Sequence, residues 1–440
     1  MSLKHTLAGL GAASLLVAGL VPAASAQAED ATFILISNGK SLPAGLEARV
    51  AQAGGSVTAS YPFGVAVVEA DTSFQGVSGT TMVRDLGFDV DLGTQVAVDP
   101  DQLPPDSGND DPFFDLQWGH VPVGAVEAWE AGVTGEGVRV AVLDTGFDLD
   151  HPDLEPNINL DLSWDFTGEG LGYTLPDTFS HGTHVAGTIA AADNGFGTIG
   201  VAPDAELVLV KVLGDEGQGS FEDVFAGIAH AADVDADVMN LSLGAMAPRN
   251  EDGNEITTLA NAMNKAVTYA HQQGTTVVVS AGNDAEDLDG DGNMVRFLTS
   301  AAHAVGISAY APTGWASLNW DGNFFVPASY TNYGTSMVDF AAPGGDTAYP
   351  GNENCVVGGL DRPCWVFDLV FSTGNGGWYW SGGTSMAAPH ATGVAALIIS
   401  ENGGEMKPAH VERELRKRAI DAGKPGADDY FGRGAVHTGY

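Results

Sequence analysis

Short apolar runs alternate with amphipathic runs from about residue 113 to the end of the chain. The apolar runs are rich in valine, leucine and isoleucine: GVRVAVLD, AELVLVKV, DVMNLSL, TTVVVSAG, HAVGISA and MVDFAAPG. Between several of them lie stretches such as FEDVFAGIAHAAD and LANAMNKAVTYAHQQ, whose apolar residues recur at helical spacing. The pattern predicts an α/β domain over residues 113–440, with a mostly parallel sheet covered by helices on both faces. In such sheets, sites form at the carboxyl ends of the strands.

A smaller unit precedes this domain. ATFILISNGK predicts a strand, LPAGLEARVAQAGG a short helix ending in glycine, and SVTASYPFGVAVVEA more strand. Residues 29–98 are therefore expected to form a small α+β domain. The next stretch, DPDQLPPDSGNDDP at residues 99–112, is rich in Pro, Asp, Gly and Ser, which is typical of an exposed linker that proteases cut.

The first residues have the pattern of a secretory signal peptide. Lys4 and His5 precede a short apolar run that leads into small residues, which predicts a signal over residues 1–28 with cleavage after Ala26 or Ala28. A membrane anchor is disfavoured because the run is short and interrupted by glycines. No later segment is long and apolar enough to span a bilayer. The sequence thus predicts a secreted, extracellular protein without a membrane partner.

The charge balance narrows the choice of partners. The 440 residues contain 17 Lys and Arg against 57 Asp and Glu, a formal net charge of −40. Such a field repels nucleic acid and anionic membranes, so neither is expected as a partner. It fits a solvated acidic surface or one partly neutralised by bound cations.

Three chemically capable side chains lie where loops meet strands or helices. Asp144 ends the strand VAVLD, His181 begins HGTHVAGTIAAA, and Ser385 lies in GGTSMAAPH at the start of a helical run. Taken singly, they would be a turn former, a core histidine and a helix cap. Together they can form a nucleophilic triad, because serine needs an imidazole to take its proton and the imidazole needs a carboxylate to fix its tautomer. His184 and His390 are competing imidazoles that spacing alone does not exclude.

The order and context of the three residues exclude one class of hydrolase. Alpha/beta hydrolases have the order Ser, Asp, His and place the serine in G-x-S-x-G. Here the order is Asp, His, Ser, and Ala387 stands where the second glycine would be.

The sequence resembles secreted serine proteases of the subtilisin type. The resemblance rests on VAVLDTG around Asp144, HGTHVAG around His181, SAGN ending at Asn283 and GTSMAAPH around Ser385, in that order over residues 117–400. It implies that Ser385 is the nucleophile, His181 the general base and then acid, and Asp144 the orienting carboxylate. It also implies that the side-chain amide of Asn283 donates to the oxyanion.

The same resemblance suggests how substrate binds. Ser242, Leu243 and Gly244 resemble the family segment that pairs with an extended peptide. Ala281 and Gly282 should line the first specificity pocket, and an open pocket bordered by glycine favours medium or large apolar side chains.

The N-terminal unit resembles a subtilisin propeptide in position and size. In the family, this domain assists folding, inhibits by laying its C-terminal strand in the active site, and is then cut away. The maturation cut is expected between Asp99 and Asp111.

Calcium is the expected cofactor, and no organic cofactor is expected. The resemblance implies a site made by the side chains of Asp153 and Asn194 with backbone oxygens, and hard oxygen ligands of this kind suit calcium. The further ligands implied are Ala192, Phe196 and Thr198, with Gln117 as an additional candidate.

A second acidic loop matches the first half of a calcium-loop pattern. Asp287, Asp289 and Asp291 fit D-x-D-x-D-G, but the twelfth position is Leu298 instead of a bidentate glutamate. A weak calcium site and a plain acidic loop both remain open.

The two cysteines, Cys355 and Cys364, could close a short surface loop by a disulfide, which suits an exported protein. Two free thiols are the alternative.

These expectations combine into one function with two alternatives. The leading interpretation is a secreted, calcium-stabilised serine endopeptidase, monomeric and made as a self-processing zymogen, that hydrolyses polypeptides through an acyl-enzyme. The first alternative is a narrow-specificity protease for a leader or precursor peptide. The second is an inactive calcium-binding scaffold, which the filled catalytic positions disfavour.

Overall fold

The computed structural model describes residues 30–98, 111–176, 178–244, 246–248, 253–290 and 292–440. The predicted signal peptide, nearly all of the linker with its expected cut, and Asp291 lie outside the described residues.

The N-terminal unit is a four-stranded antiparallel sheet with one helix. Its elements are β1 (Asp30–Ser37), α1 (Leu46–Gln52), β2 (Gly55–Tyr61), β3 (Val65–Asp71) and β4 (Thr80–Arg84), with strand order β2-β3-β1-β4. β1 alternates between two apolar faces: Phe33 and Leu35 pack under α1, and Ile34 and Ile36 face the other way. The small α+β domain predicted from the sequence thus has two buried faces. Two further short strands, β5 (Gly87–Asp89) and β6 (Thr94–Ala97), leave this sheet.

The main domain is built around one large sheet. Its strands are β7 (Arg139–Asp144), β8 (Trp164–Asp165), β9 (Glu206–Lys211), β10 (Gln218–Ser220), β11 (Val238–Leu241), β12 (Met246–Pro248), β13 (Thr276–Ser280), β14 (Met294–Arg296), β15 (Ala304–Ala311), β16 (Val326–Pro327), β17 (Phe340–Pro343), β18 (Asn354–Val357), β19 (Leu360–Pro363), β20 (Val370–Gly374) and β21 (Gly377–Gly382). Its helices are α2 (His120–Val123), α3 (Ala125–Glu130), α4 (His181–Ala190), α5 (Phe221–Asp233), α6 (Gly253–Gln273), α7 (Cys364–Phe367), α8 (Thr384–Glu401) and α9 (Pro408–Arg418).

Eight strands form the large sheet in the order β16-β15-β13-β11-β7-β9-β8, with β17 also paired to β15. The pairs are parallel except β15 with β16. The strands are apolar on both faces: in β7, Val140 and Val142 join the core that contains α4, α8 and α9, whereas Ala141 and Leu143 join the core that contains α5 and α6. The predicted mostly parallel sheet with helices on both faces is confirmed.

The N-terminal unit packs against α5 and α6. Its second face continues the apolar core of those helices, and the ring of Phe63 lies 6.3 Å from that of Phe225 and 5.6 Å from that of Tyr269. Burial of apolar surface therefore holds this unit on the main domain.

The predicted disulfide between Cys355 and Cys364 is present and closes the β18–β19 hairpin. No helix within the described ranges has the length and apolar character needed to cross a bilayer.

Candidate active site

The three residues of the predicted triad lie at the ends of elements in the sheet and its helices. Asp144 is the last residue of β7, a central strand, and His181 is the first residue of α4. Ser385 lies in the first turn of α8, which packs in the same core as α4. The three candidate residues thus lie at the carboxyl edge of the sheet.

The pair of Asp144 and His181 is fully formed. His181 Nδ1 lies 2.7 Å from Asp144 Oδ1, and both side chains are at most 1% exposed. The Thr145 N–H donates to the same oxygen at 2.8 Å and fixes the carboxylate. Because Nδ1 donates to Asp144, neutral His181 carries its free lone pair on Nε2, which has no hydrogen-bond partner among the described residues. That tautomer is the one a general base needs.

Ser385 is held by a reciprocal contact with Ser242. The Ser385 hydroxyl donates to the Ser242 carbonyl at 3.2 Å, and the Ser242 hydroxyl donates to the Ser385 carbonyl at 2.8 Å. In this state, the Ser385 hydroxyl is thus directed at a backbone carbonyl instead of at the imidazole. Catalytic hydrogen bonds commonly tighten only when substrate is bound.

Asn283 is oriented by Thr384, the neighbour of Ser385. Its Oδ1 accepts from the Thr384 N–H at 2.9 Å and from the Thr384 hydroxyl at 2.8 Å. Because the oxygen is hydrogen-bonded, the amide nitrogen Nδ2 remains as the available donor. It lies 3.4 Å from the position that a Cβ atom on Gly383 would occupy. The site therefore holds a preorganised amide donor beside the Ser385 N–H at the helix N-terminus.

The two competing histidines have structural surroundings. His184 Nε2 lies 3.1 Å from the Tyr379 carbonyl, and His390 Nδ1 lies 2.8 Å from the Met386 carbonyl. Burial lowers the pKa of each imidazole to about 3. Both rings are therefore neutral members of the core, bonded to backbone.

A cleft of about 540 Å³ lies beside Ser385. Its lining includes four of the predicted substrate residues, Leu243, Gly244, Ala281 and Gly282, while Ser242 lies behind Ser385. The structure adds a wall that the sequence did not predict: Met294 and Arg296 of β14. A basic residue thus stands among the residues of a cleft for which Ala281 and Gly282 led us to expect a preference for apolar side chains.

The last segment of the N-terminal unit, which contains β5 and β6, lies along the cleft. β5 pairs antiparallel with β10, and the Val90 N–H donates to the Gly217 carbonyl at 3.0 Å. Further on, β6 pairs antiparallel with β21, the strand that leads to Ser385. The intervening residues pass the site, and Asp91 lines the same cleft as Ser385. Gly93 needs to be glycine there, since its φ is +73° and a Cβ would lie 2.5 Å from the Gly382 carbonyl.

Sequence reasoning missed β10 and β21 as the walls that hold this segment. One feature of the sequence could have indicated β10: two glycines, Gly217 and Gly219, are separated by one residue just before α5. Glycines spaced in this way allow a second backbone to approach closely.

The residues of the first predicted calcium site lie together. Three donors, the Thr198 N–H and hydroxyl and the Trp378 indole, bond Asp153 Oδ2, but Oδ1 is buried without a hydrogen-bond partner in the described chain. The Ala192 N–H donates to the Asp153 carbonyl at 2.7 Å, and the Asn194 amide nitrogen donates to the Pro152 carbonyl.

This donor set fits a hard cation in part. Asp153 Oδ1 lacks a partner, and bonding of the Asn194 nitrogen leaves its oxygen available. The Gln117 amide is bonded to Ile199 instead: its oxygen accepts the Ile199 N–H and its nitrogen donates to the Ile199 carbonyl, both at 2.9 Å.

In the second acidic loop, Asp287 and Asp289 both accept hydrogen bonds from the described chain. Both oxygens of Asp289 accept hydrogen bonds from Thr335 and Ser336, across the loop from Asp287. Asp287 Oδ1 instead accepts the N–H groups of Asp289 and Gly290, which is an Asx turn. Asp291 lies outside the described residues. A turn tied to the neighbouring loop explains these two carboxylates.

Comparison with known proteins gives a consistent result. The model of the subtilase family matches residues 135–434. Subtilisin Savinase from Lederbergia lenta is 35% identical over 325 residues, which cover 73% of this chain and 97% of that protein. The minor extracellular protease Epr from Bacillus subtilis (strain 168) is 29% identical over 320 residues, which cover 73% of this chain and 41% of Epr.

One solved structure aligns with almost the whole chain. The epidermin leader peptide processing serine protease from Staphylococcus aureus has a TM-score of 0.72 and 22% identity, covering 93% of this chain and 97% of that one. At that identity, the likeness concerns the fold, and it includes most of the N-terminal unit.

Proposed function

Because this chain belongs to the subtilase family and is a serine endopeptidase, we propose that Asp144, His181 and Ser385 are its catalytic triad. The observation that carries the assignment is the buried 2.7 Å contact between Asp144 and His181, which leaves Nε2 free to accept a proton. In this mechanism, the Ser385 hydroxyl attacks the substrate carbonyl while His181 takes its proton. His181 then returns the proton to the leaving amine, and water releases the acyl group from Ser385 by the same steps.

Two donors stabilise the developing oxyanion. The Asn283 amide nitrogen and the Ser385 N–H both lie at the N-terminus of α8, where the helix dipole also favours negative charge. Because Thr384 fixes Asn283 before substrate arrives, the donor needs no reorganisation during the reaction.

The substrate binds as an added strand. β10 offers one edge, as its pairing with β5 illustrates, and the Ser242–Gly244 segment offers the other. Main-chain hydrogen bonds give affinity in such a groove, and the cleft beside Ser385 receives the side chain that precedes the cut.

The protein is made as a self-inhibited precursor. The N-terminal unit is its propeptide, whose β5 and β6 occupy both sides of the active site and keep other peptides out. Export is supported by the signal-like residues 1–28 and by the disulfide between Cys355 and Cys364. In the extracellular medium, release of the propeptide turns the enzyme on.

A calcium ion would be held by Asp153 Oδ1, the Asn194 side-chain oxygen and the backbone oxygens of Ala192, Phe196 and Thr198. It would supply charge that pins the 192–198 loop to the start of the main domain. No catalytic step depends on it.

Removing calcium should lower the melting temperature by about 5 °C, because a ligand near a hundred times its dissociation constant adds about 2.7 kcal/mol of stability. Thermal unfolding of the matured protein in millimolar calcium and in EGTA measures this difference. Asp153→Asn should abolish the difference, whereas Asp289→Asn, in the other acidic loop, should preserve it. An unchanged melting temperature in EGTA would eliminate this site.

The direct test of the proposed function is covalent labelling. The matured protein should react with a biotinylated fluorophosphonate at one residue per chain, identified by mass spectrometry as Ser385, and heat-denatured protein should not react. It should also hydrolyse casein. Absence of labelling would contradict the triad, and labelling without casein hydrolysis would indicate the narrow-specificity protease.

A further inference from the structure

Arg296 occupies an unusual place for a basic residue in this chain. It is the last residue of β14, opposite Met246 of β12, and it lines the cleft that also contains Asn283 and Ser385. It is only 2% exposed. The chain has a net charge of −40 and 17 basic residues. Because Arg296 is buried in the same cleft as the candidate nucleophile, it adds little to the charge of the surface.

The guanidinium is only partly satisfied. Its Nη2 donates to Glu286 Oε2 at 2.7 Å, and the Glu286 side chain is 38% exposed. Nε and Nη1 are buried and have no hydrogen-bond partner within the described part of the chain. Arginine keeps its charge at all relevant pH values, so burial cannot be relieved by loss of the proton. A buried charged donor without an acceptor is costly, and the cleft therefore favours a ligand that brings an acceptor.

We propose that Arg296 makes the first specificity pocket select an acidic side chain, glutamate above all, in the residue before the cut. This inference rests on the proposed function and adds the substrate class. A carboxylate presents two oxygens that match the planar guanidinium fork, and charge-assisted bonds of this type are the strong ones. An apolar side chain would leave the buried Nε and Nη1 without an acceptor, so the pocket attracts one class and penalises the other.

The chain's own segment in the cleft leaves Arg296 available. Asp91 lines the cleft, but its carboxylate accepts the Gly93 N–H at 3.0 Å and stays exposed. The short aspartate side chain thus bonds locally, and glutamate, longer by one methylene, is the side chain expected to reach the fork. The precursor segment therefore inhibits through its backbone pairing without filling the pocket.

The test is a set of peptides that differ only in the residue before the cut: Glu, Asp, Gln, Leu and Phe. For the matured wild type, kcat/KM should be about tenfold to a hundredfold higher for Glu than for Gln, which corresponds to one charge-assisted hydrogen bond. Arg296→Met, similar in length but neutral, should remove this ratio and raise kcat/KM for Leu. Arg433→Met is the matched control, because Arg433 also pairs with a carboxylate, Asp339, but lies away from the cleft; it should keep the wild-type order.

Fluorophosphonate labelling of each variant shows whether its site is assembled. A wild type that is labelled normally but prefers Leu or Phe to Glu would overturn the specificity and leave the proposed function intact. A wild type that neither reacts nor cuts any peptide would overturn both. If Arg296→Met does not fold, kcat/KM on the Glu and Gln peptides is compared for the wild type and for Arg296→Lys. Equal kcat/KM of the wild type on the two peptides would overturn the proposal.

Discussion

Full-length protein carrying Ser385→Ala should remain a single uncut chain under conditions in which the wild type separates into its N-terminal unit and its main domain. The reason is that self-cutting requires the serine oxygen, and in subtilisin loss of the nucleophile lowers kcat by about a million-fold. A reaction completed in minutes would then take years. Because Ser385 is 5% exposed and bonded to the Ser242 carbonyl, the substitution removes one hydroxyl with little effect on packing.

Intact mass followed over time measures the effect. Ser400→Ala is the matched control, since it removes a serine hydroxyl near the other end of the same helix, α8, and should be cut at the wild-type rate. A Ser385→Ala chain that shortens at the wild-type rate would show that another protease matures the protein. A wild type that stays whole would contradict self-processing.

The masses also locate the cut. Residues 91–93 pass Ser385 and connect β5, which pairs with β10, to β6, which pairs with β21. We therefore expect the first cut to fall within residues 91–93, so that the earliest N-terminal fragment ends there. The linker sequence predicts a cut between Asp99 and Asp111, and trimming in that exposed stretch should follow. A first fragment ending in the linker would mean that the segment shifts along the cleft before it is cut.

The elements that the sequence predicted well are those fixed by local pattern. β7, β9, β11 and β13 are continuous apolar runs because both faces are buried, and the same burial makes them recognisable. Asp144 and His181 could be named as candidates because the motifs around them, VAVLDTG and HGTHVAG, resemble those of the family.

What the sequence could not give depends on pairing between distant segments. β5 and β10 are only three residues long, and their central residues, Phe88 and Gly219, lie 131 positions apart in the sequence, so neither has a periodicity that reveals the other. Arg296 is equally hidden, because a lone arginine in a sequence is usually a solvated side chain. The hydrogen bonds of Gln117 could not be foreseen for a related reason: its partner Ile199 lies 82 residues further along the chain.

The rim of the interface between the N-terminal unit and α5 is acidic on both sides. Asp85 of the N-terminal unit accepts the Phe221 and Glu222 N–H groups, and so caps α5. Burial raises the pKa of Asp85 to about 6, with a contribution from Asp223. Burial also raises the pKa of Glu222 to about 7, with contributions from Asp223, Asp85 and Glu69.

The neighbouring titratable groups, Asp223 and Tyr61, do not neutralise the negative charge of this rim. Burial raises the pKa of Asp223 to about 6, and Asp165 adds to the increase. The Tyr61 hydroxyl faces the same carboxylates and is itself buried, which raises its pKa above the ordinary value. These carboxyl groups therefore bind more protons when the N-terminal unit is docked than when it has dissociated. They release those protons when the unit leaves and water surrounds them again.

We therefore expect the cut N-terminal unit to stay bound at pH 5 and to dissociate at pH 8. Because the carboxylate pKa values are higher in the docked state, docking is strongest below about pH 4 and weakens as the pH rises to about 7. Partial solvent exposure screens the effect, so affinity should fall about tenfold to a hundredfold over this range. Protein that has cut itself and is then inactivated with a fluorophosphonate allows the affinity to be measured by gel filtration.

Glu222→Gln should flatten this pH dependence and strengthen binding at pH 8, because it removes a buried charge that faces Asp85 and Glu69. Glu47→Gln is the matched control: it makes the same change on α1, the helix on the opposite face of the N-terminal sheet, and should leave the pH profile unchanged. Equal binding at pH 5 and pH 8 in the wild type would show that the apolar face alone holds the unit. The rim carboxylates would then have no part in its release.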